Sequence, residues 1–408
     1  MLEPTATAEI SNAARRPRIA LAHDWLVGMR GGERVLDTIA RIVRRQFTPA
    51  RLYTMFDDGR AMSTDIDAFE KTSSFLNRLP DGPGRTRRWL LPLYPMAVRD
   101  LSRQLANDHA REPIDLLIST SSAAIKGLRP PPGVPHVCYC HSPARYLWSQ
   151  GDAYSRTSAM VRLGLAVTGP MLRRWDAATA ANVTTFIANS NHIKREIARC
   201  YRREAIVIHP PVRTDFFTPD PAVEREDFWL AVGAIEPYKQ FDLAISAAKS
   251  AGARLVIIGE GTLRRSLERK AGSHVEFRGR VSDEALRDAY RRARLLVFPQ
   301  IEDFGIIAVE AQACGCPIVA GRAGGAMDIV QDGVTGAMFD DPSPQAVATA
   351  AKRATGLSPS ACWQRARNFA ETRFEARMIA SIHATTPIGP AGGHRDASTE
   401  PTACNNPP

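Results

Sequence analysis

The sequence predicts an α/β protein made of two Rossmann-like domains whose parallel sheets face each other across a cleft. Its 408 residues exceed the roughly 100–200 of a typical single domain, and 44% hydrophobic residues are enough for two cores. Short apolar runs alternate with segments of helical periodicity, as expected for parallel sheets covered by helices on both faces. Such sheets bind ligands beyond the carboxyl ends of their strands, so we expect the site in the cleft.

The first domain is predicted to span residues 17–208, after a disordered leader at 1–16. "PRIALAHDW" predicts the first strand, and "GGERVLDTIARIVRRQF" predicts a helix that follows a glycine loop. A segment that runs from a strand into a helix is predicted at 184–201, with Asn189 or Ser190 as the helix cap. Further strands are predicted within 50–56, 113–122 and 135–143.

The second domain is predicted to span residues 225–366. Residues 205–219 contain a Pro-Pro pair that forces extended backbone, so we interpret them as part of the connection, with the linker proper at 209–224. Strand and helix patterns then alternate from "DFWLAVGAI" to "GAMDIVQDG" and "TGAMF". A last helix at 367–384 is expected to cross back to the first domain, followed by a disordered tail at 385–408.

Charge and cysteine usage narrow the class of partner. The net charge of +10 fits nucleic acid, an anionic membrane surface or nucleotide diphosphates, but no nucleic-acid-binding pattern is present, so we exclude nucleic acid. No apolar run reaches the roughly 18 residues of a membrane span, and the N-terminus lacks the apolar core of a secretory signal. The seven cysteines include two C-x-C pairs in apolar runs, which indicates buried free thiols in the cytoplasm.

The stretch "FPQIEDFGIIAVEAQACGCPIVAGRAGG" carries the chemistry. It predicts a strand, a loop with Glu302, and a helix that begins after Gly305, whose free amides form an anion site suited to a diphosphate. Glu310 lies roughly 12 Å further along, too far to share a metal or a proton with Glu302. The two carboxylates can instead accept hydroxyls on either side of a diphosphate. The alternative is a solvated loop carboxylate and a helix-surface glutamate, but the apolar neighbours of Glu310 argue against it.

"EDFGIIAVE" resembles the E-x7-E motif of the retaining glycosyltransferases of family 4, which have the GT-B fold. Residues 17–383 also contain "HDWLVGMRGGERVL", "CYCHSPARYLW", "ANSNHIKREIARCY", "IHPPV", "VGAIEPYKQFDLAI" and "GGAMDIVQDGVTG" in the order of the mannosyltransferase-like branch that assembles polysaccharide and O-antigen. The resemblance implies metal-independent transfer of a hexose, with retention and no cofactor. The favoured donor is GDP-mannose and the acceptor is a growing glycan.

The resemblance also assigns roles to individual residues. Glu302, His141 and Lys239 are the catalytic candidates: Glu302 holds hydroxyls of the donor sugar, His141 lies beside the transferred sugar, and Lys239 neutralises the departing phosphate. The donor-binding candidates are Glu310 for the ribose, Phe304, Gly305 and Ile306 for the diphosphate, Gly31 and Gly32 for the phosphate or the acceptor, and Arg280 near the base. His23 and Asp24 are either a hydrogen-bonded structural pair or part of the acceptor site.

One departure from the family pattern keeps other functions open. The family has an arginine where this chain has Ala234, and Arg264 or Arg265 is a candidate to replace it. A catalytically weak or inactive homologue, which binds nucleotide sugar or acts as a scaffold, is therefore the alternative. A sugar-nucleotide epimerase on the same architecture is a further rival.

Two basic segments point to a membrane surface. Residues 83–106 place five arginines beside Trp89 and several leucines, and residues 155–176 have a similar mixture. An acceptor carried on polyprenyl diphosphate would need such a surface, and the protein would then be peripheral on the inner face of the membrane. Solvated helix faces with a core stripe are the alternative interpretation of each segment.

Overall fold

Two parallel sheets, one in each half of the chain, form the framework of the protein. The computed structural model describes residues 15–79, 90–148 and 159–386, with residues 159–167 described by their backbone alone. The strands of each sheet are all parallel to their neighbours, and helices cover both faces. The predicted α/β class with two Rossmann-like domains is confirmed.

The first sheet has seven strands in the order β3-β2-β1-β4-β5-β6-β7. The central strands β1, β4 and β5 are almost wholly buried, as in any parallel sheet covered on both faces. The strand order reverses between β1 and β4, which opens a crevice at their carboxyl ends. The strands are β1 (Arg18–Leu26), β2 (Thr48–Asp57), β3 (Lys71–Ser73), β4 (Leu116–Ser121), β5 (His136–Cys140), β6 (Thr185–Ala188) and β7 (Ala205–Val207).

In the described residues of the first half, six α-helices are interspersed with the strands of the first sheet. The Ser190 hydroxyl caps the last of them by accepting the Ile193 N–H at 3.1 Å. The helices are α1 (Gly31–Gln46), α2 (Thr64–Asp67), α3 (Tyr94–Arg111), α4 (Arg145–Trp148), α5 (Ala159–Thr179) and α6 (Asn191–Tyr201).

The second sheet has six strands in the order β10-β9-β8-β11-β12-β13, and its order reverses between β8 and β11. Its strands are β8 (Phe228–Val232), β9 (Arg254–Ile258), β10 (Val275–Gly279), β11 (Leu295–Phe298), β12 (Ile318–Gly321) and β13 (Gly336–Phe339). The helices are α7 (Phe241–Ala251), α8 (Arg264–Lys270), α9 (Asp283–Arg292), α10 (Ile306–Ala313), α11 (Ala326–Ile329), α12 (Pro344–Ala354), α13 (Pro359–Ala366) and α14 (Glu371–Thr385).

The chain passes between the two sheets twice. It leaves the first sheet after β7 and returns in α14, which buries Phe374, Met378 and Ile382 in the core of the first sheet. The two passages touch, because Val212 and Ala370 form a parallel bridge and the Val212 N–H donates to the Phe369 carbonyl at 3.1 Å. The two halves are therefore connected by two segments of the backbone, which run side by side at Val212 and Ala370.

Some local predictions need correction. Residues 205–207, interpreted as the start of the connection, form the edge strand β7, which ends just before the Pro210–Pro211 pair. α11 ends at Ile329, shorter than "GAMDIVQDG" predicts. In contrast, the six cysteines in the described ranges are buried and free, as predicted, and Cys404 lies outside them.

The basic segments are only partly described. Arg85, Arg87, Arg88 and Trp89 lie outside the described residues, as do the predicted leader up to residue 14 and the tail from residue 387. The part of the first segment that is described contributes to α3, which buries an apolar stripe from Tyr94 to Leu105. Over the ranges that the structure describes, no helix has the length and apolarity to cross a bilayer.

Candidate active site between the two domains

A cavity of about 540 Å³ lies between the domains, at the carboxyl ends of β1, β4 and β5 on one side and of β8 and β11 on the other. Both points where the strand order reverses open into it, which is where doubly wound sheets bind ligands. The predicted site residues that line it are Glu302, His141, Lys239, Glu310, Phe304, Gly305, Ile306, Gly31 and Gly32. Arg280 is exposed after β10 and is absent from this lining.

Glu302 and Lys239 meet at the second-domain wall. The buried Lys239 ammonium forms an ion pair with Glu302, and the Gln300 side-chain amide donates to the same carboxylate oxygen at 3.3 Å. Lys239 lies directly before Gln240, whose left-handed backbone (φ 52°) turns the chain into α7. A sugar hydroxyl on Glu302 and a phosphate on Lys239 would therefore be neighbours.

The loop that carries Glu302 is fixed by glycines. Gly305 has φ +113°, and a Cβ there would lie 2.9 Å from the Phe298 ring, so glycine is required. Gly325 packs so closely under the loop that a Cβ would lie 2.3 Å from the Phe304 Cα. The loop consequently presents the first amides of α10 to the cavity, where they have no acceptor within the helix.

A second helix N-terminus faces the first. The sequence predicted Gly31 and Gly32 in the loop before α1, but they are the first two residues of the helix. A Cβ on Gly31 would lie 3.6 Å from the Ile306 side chain, so the starts of α1 and α10 are close together. The positive ends of two helix dipoles thus point into one cavity, which favours an anion such as a diphosphate.

Glu310 is buried, with 5% of its surface exposed, which rules out the helix-surface alternative. The Tyr290 hydroxyl lies 3.4 Å from one carboxylate oxygen, and the Arg34 guanidinium lies 3.6 Å from the other. Burial raises the pKa of Glu310 to about 7, against the lowering effect of Arg34. This carboxyl group therefore changes charge near neutral pH and can accept hydroxyls in its ionised form.

Two histidines face Gly32 from the first sheet. A Cβ on Gly32 would lie 3.5 Å from His141 Nε2 and 3.7 Å from His23 Cε1. Burial lowers the pKa of His141 to about 3, so its ring is neutral. Both Nε2 atoms are buried with no hydrogen-bond partner within the described part of the chain, and the Glu33 carboxylate lies 3.8 Å from that of His23. Because orphaned buried nitrogens are costly, these two atoms are suited to hydroxyls of a bound substrate.

His23 and Asp24 have separate roles. The His23 Nδ1 atom lies 2.6 Å from the Thr120 hydroxyl, which orients the ring toward the cavity. The Asp24 carboxylate points away and accepts the backbone N–H groups of residues 122–125 at 2.6–2.9 Å. Asp24 thus ties the loop after β4 to the end of β1, while His23 lines the cavity.

Several charged residues of the cavity were missed from the sequence. Arg30 immediately precedes α1, Arg34 lies in its first turn, and Arg145 comes from α4 and pairs with Asp303 across the cleft. The proposed substitutes for the missing arginine lie elsewhere: Arg264 and Arg265 line a separate surface depression with Glu260 and Glu268. Arg145 follows β5 by five residues, and the carboxyl-end rule for parallel sheets could have identified it.

Two facing Rossmann-like domains with a cavity between their strand ends define the GT-B class. Residues 29–216 match the family model for glycosyltransferase family 4, and residues 212–368 match the model for glycosyl transferases group 1. The chain belongs to these glycosyltransferases, as its motifs indicated.

Two curated relatives illustrate the match. An uncharacterized glycosyltransferase of Methanocaldococcus jannaschii is 33% identical over 168 residues, covering 40% of this chain and 47% of that protein. The GDP-mannose-dependent alpha-(1-6)-phosphatidylinositol monomannoside mannosyltransferase of Mycolicibacterium smegmatis is 32% identical over 200 residues, covering 42% of this chain and 52% of that protein. The chain thus spans about half the length of these relatives.

The fold also matches solved structures. Anabaena Alr3699/HepE, solved in complex with UDP, superposes with a TM-score of 0.65 at 17% identity, covering 90% of this chain and all of that one. At this level of identity the likeness concerns the fold.

Proposed function

We propose that this protein is a retaining glycosyltransferase that moves a hexose from a nucleotide sugar to a growing glycan. We put forward mannose from GDP-mannose as the first candidate donor. The observation that carries the proposal is that Glu302 and Glu310 lie in one cavity on either side of the α10 N-terminus. That order of groups matches the order of a nucleotide sugar, which is hexose, diphosphate and ribose.

The donor would lie along the second domain. The buried Glu310 would accept the ribose hydroxyls, and the amides at the start of α10 would hold the diphosphate. Lys239 would turn from Glu302 to a phosphate oxygen, which frees Glu302 for hydroxyls of the hexose. The hexose hydroxyls then replace the contact that Glu302 now makes with Lys239.

The reaction breaks the bond between the anomeric carbon and the phosphate oxygen, and the electron pair stays on that oxygen. Lys239 and the two helix N-termini stabilise the growing negative charge. The acceptor oxygen attacks the anomeric carbon from the same face, and its proton passes to the departing phosphate oxygen. His141, neutral and close to Gly32, would position the hexose. These groups supply the positive charge without a metal ion.

We place the acceptor on the first domain and propose that it is lipid-linked, for instance on polyprenyl diphosphate. The net charge of +10 supports contact with an anionic membrane surface on the cytoplasmic side. The mannosyltransferase relative acts on a phosphatidylinositol monomannoside, which is itself a membrane lipid.

A weak or inactive homologue that binds nucleotide sugar or serves as a scaffold is the second candidate. Ala234, exposed at the end of β8, is the observation that favours it, because it removes one cation from the second domain.

Donor binding and turnover test both candidates. Purified protein would be given GDP-mannose, UDP-glucose, UDP-galactose and UDP-N-acetylglucosamine with EDTA present, and scored by thermal shift and nucleotide release. A transferase is stabilised by one donor and releases its nucleotide, and Glu302→Ala abolishes the release. Glu204→Gln, in the exposed segment between α6 and β7, is the control that retains it. Binding without release in the wild type would support the second candidate, and no response to any donor would contradict a nucleotide-sugar site.

A further inference from the structure

The cavity receives basic side chains from both domains. Among the described residues of the second domain, Lys239 is the one basic side chain that lines the cavity. Position 234, where the family has an arginine, is an exposed alanine in this chain. A departing nucleoside diphosphate accumulates negative charge that one ammonium and helix amides meet only in part. The first domain contributes Arg30, Arg34 and Arg145.

Arg145 is directed at the part of the cavity where the bond would break. Its guanidinium crosses the cleft and pairs with Asp303, the residue next to Glu302. Burial lowers the pKa of Arg145, but the charges of Asp303 and Glu302 outweigh that effect and raise the pKa above its usual value. Arg145 and Lys239 therefore approach the Glu302–Asp303 pair from opposite domains.

Arg145 lies on a helix, α4, that is held in place by hydrogen bonds to neighbouring side chains. In α4, the Trp148 indole N–H donates to the Asp176 carboxylate at 2.7 Å, and the Arg173 guanidinium donates to the Leu147 carbonyl at 2.6 Å. Asp176 is in turn paired at 2.9 Å with Lys126, and both side chains are 1% exposed. A cation held on such a support is oriented before the substrate arrives.

Arg34 is placed for a different task. It lies against Glu310, at the ribose end of the donor, 3.6 Å from the carboxylate. The pairing of Arg145 with Asp303 lies instead at the loop that precedes the α10 N-terminus, where the diphosphate would lie.

We propose that Arg145 is the second leaving-group cation, supplied by the first domain in place of a side chain at Ala234. The inference rests on the proposed transferase function. When the bond between the anomeric carbon and the phosphate oxygen breaks, Arg145 leaves Asp303 and donates N–H groups to that oxygen, which keeps the electron pair. Lys239 and Arg145 belong to different domains, so they surround the diphosphate only in the closed cleft. Bond breaking therefore depends on closure, which protects the donor from hydrolysis while the cleft is open.

The test measures binding of GDP and UDP by calorimetry and turnover of the best nucleotide sugar. Arg145→Gln should weaken binding of the diphosphate by about tenfold to a hundredfold, the size of a charge-assisted hydrogen bond, and lower kcat more than it changes the KM for the donor. Adding Ala234→Arg to that variant should restore much of both. Arg129→Gln, which removes an exposed positive charge of the same domain away from the cavity, is the matched control.

Asp303→Asn distinguishes an Arg145 that binds the diphosphate from one that only holds the two domains together through Asp303, a role called here a domain latch. It frees Arg145 and removes a negative charge, so diphosphate binding should tighten. A latch predicts that Asp303→Asn and Arg145→Gln both weaken binding. If the wild type turns over a donor and Arg145→Gln has the same diphosphate affinity and kcat, this inference alone is overturned. If the wild type binds neither GDP nor UDP, the proposed function is overturned as well.

Discussion

Donor binding should depend on pH through Glu310. If the ribose hydroxyls are accepted by the ionised carboxylate, the pKa of about 7 makes the apparent Kd about tenfold weaker at pH 6 than at pH 8, because only the ionised fraction binds. Glu310→Gln should bind more weakly than the wild type at pH 8 and lose the pH dependence. Glu204→Gln, an exposed control, should keep it.

Isothermal titration calorimetry at pH 6, 7 and 8 measures this directly. An intact nucleotide sugar is the suitable ligand, since both of its phosphates are esterified and carry no group that titrates in this range. Near pH 7, binding should release about half a proton, visible in buffers of different ionisation enthalpy. The pKa of His141 is about 3, so that ring does not contribute. A flat wild-type profile, or a slope that persists in Glu310→Gln, would refute the reasoning.

The same pKa has a consequence for stability. The rise from 4.5 to about 7 means that the folded protein holds the proton of Glu310 more tightly than the unfolded chain. The free energy of unfolding therefore falls as pH rises from roughly 4.5 to 7, by about 3 kcal/mol from this group. The buried carboxylate is retained at this cost, as expected for a binding group.

Further substitutions test the packing around the site. Gly325→Ala places a Cβ 2.3 Å from the backbone of the loop that carries Glu302, so it should lower the free energy of unfolding by roughly 1–3 kcal/mol and weaken donor binding. Gly321→Ala is the control, because its nearest neighbour is at 3.5 Å and neither property should change. Thermal unfolding and calorimetry measure the two properties. Lys126→Met leaves the buried Asp176 carboxylate without its ion partner, although Trp148 still donates a hydrogen bond to it, and should cost roughly 3–5 kcal/mol in chemical unfolding, against little change for the exposed Lys352→Met. Equal stability of the two lysine variants would contradict a buried pair.

Apolar runs in the sequence predicted most of the strands and the burial of residues within them. Apart from two edge strands, the strands from "PRIALAHDW" to "CPIVAG" were visible as apolar runs, and the burial of Glu310 could be inferred from Val309 and Ala311 beside it. Edge strands β3 and β7 were missed because each has only three residues; β3 is polar, and β7 lies close to a Pro-Pro pair that obscured its strand pattern.

Contacts across the cleft could not be predicted in this way. Arg34 lies on α1, 276 positions from Glu310, and Arg145 is 158 positions from Asp303. Their pairing depends on how two separately folded sheets approach each other, which no periodicity within either half encodes.

The paired crossings of the chain restrict how the cleft can open. A single connecting segment would let the second sheet swing and twist freely. Here the bridge between Val212 and Ala370 fastens the outgoing and returning segments to each other, and α14 anchors the returning one in the first core. We therefore expect any opening of the cleft to be a rotation about an axis near Val212, with little freedom to twist. Each closure therefore returns the two walls of the cavity to the same register.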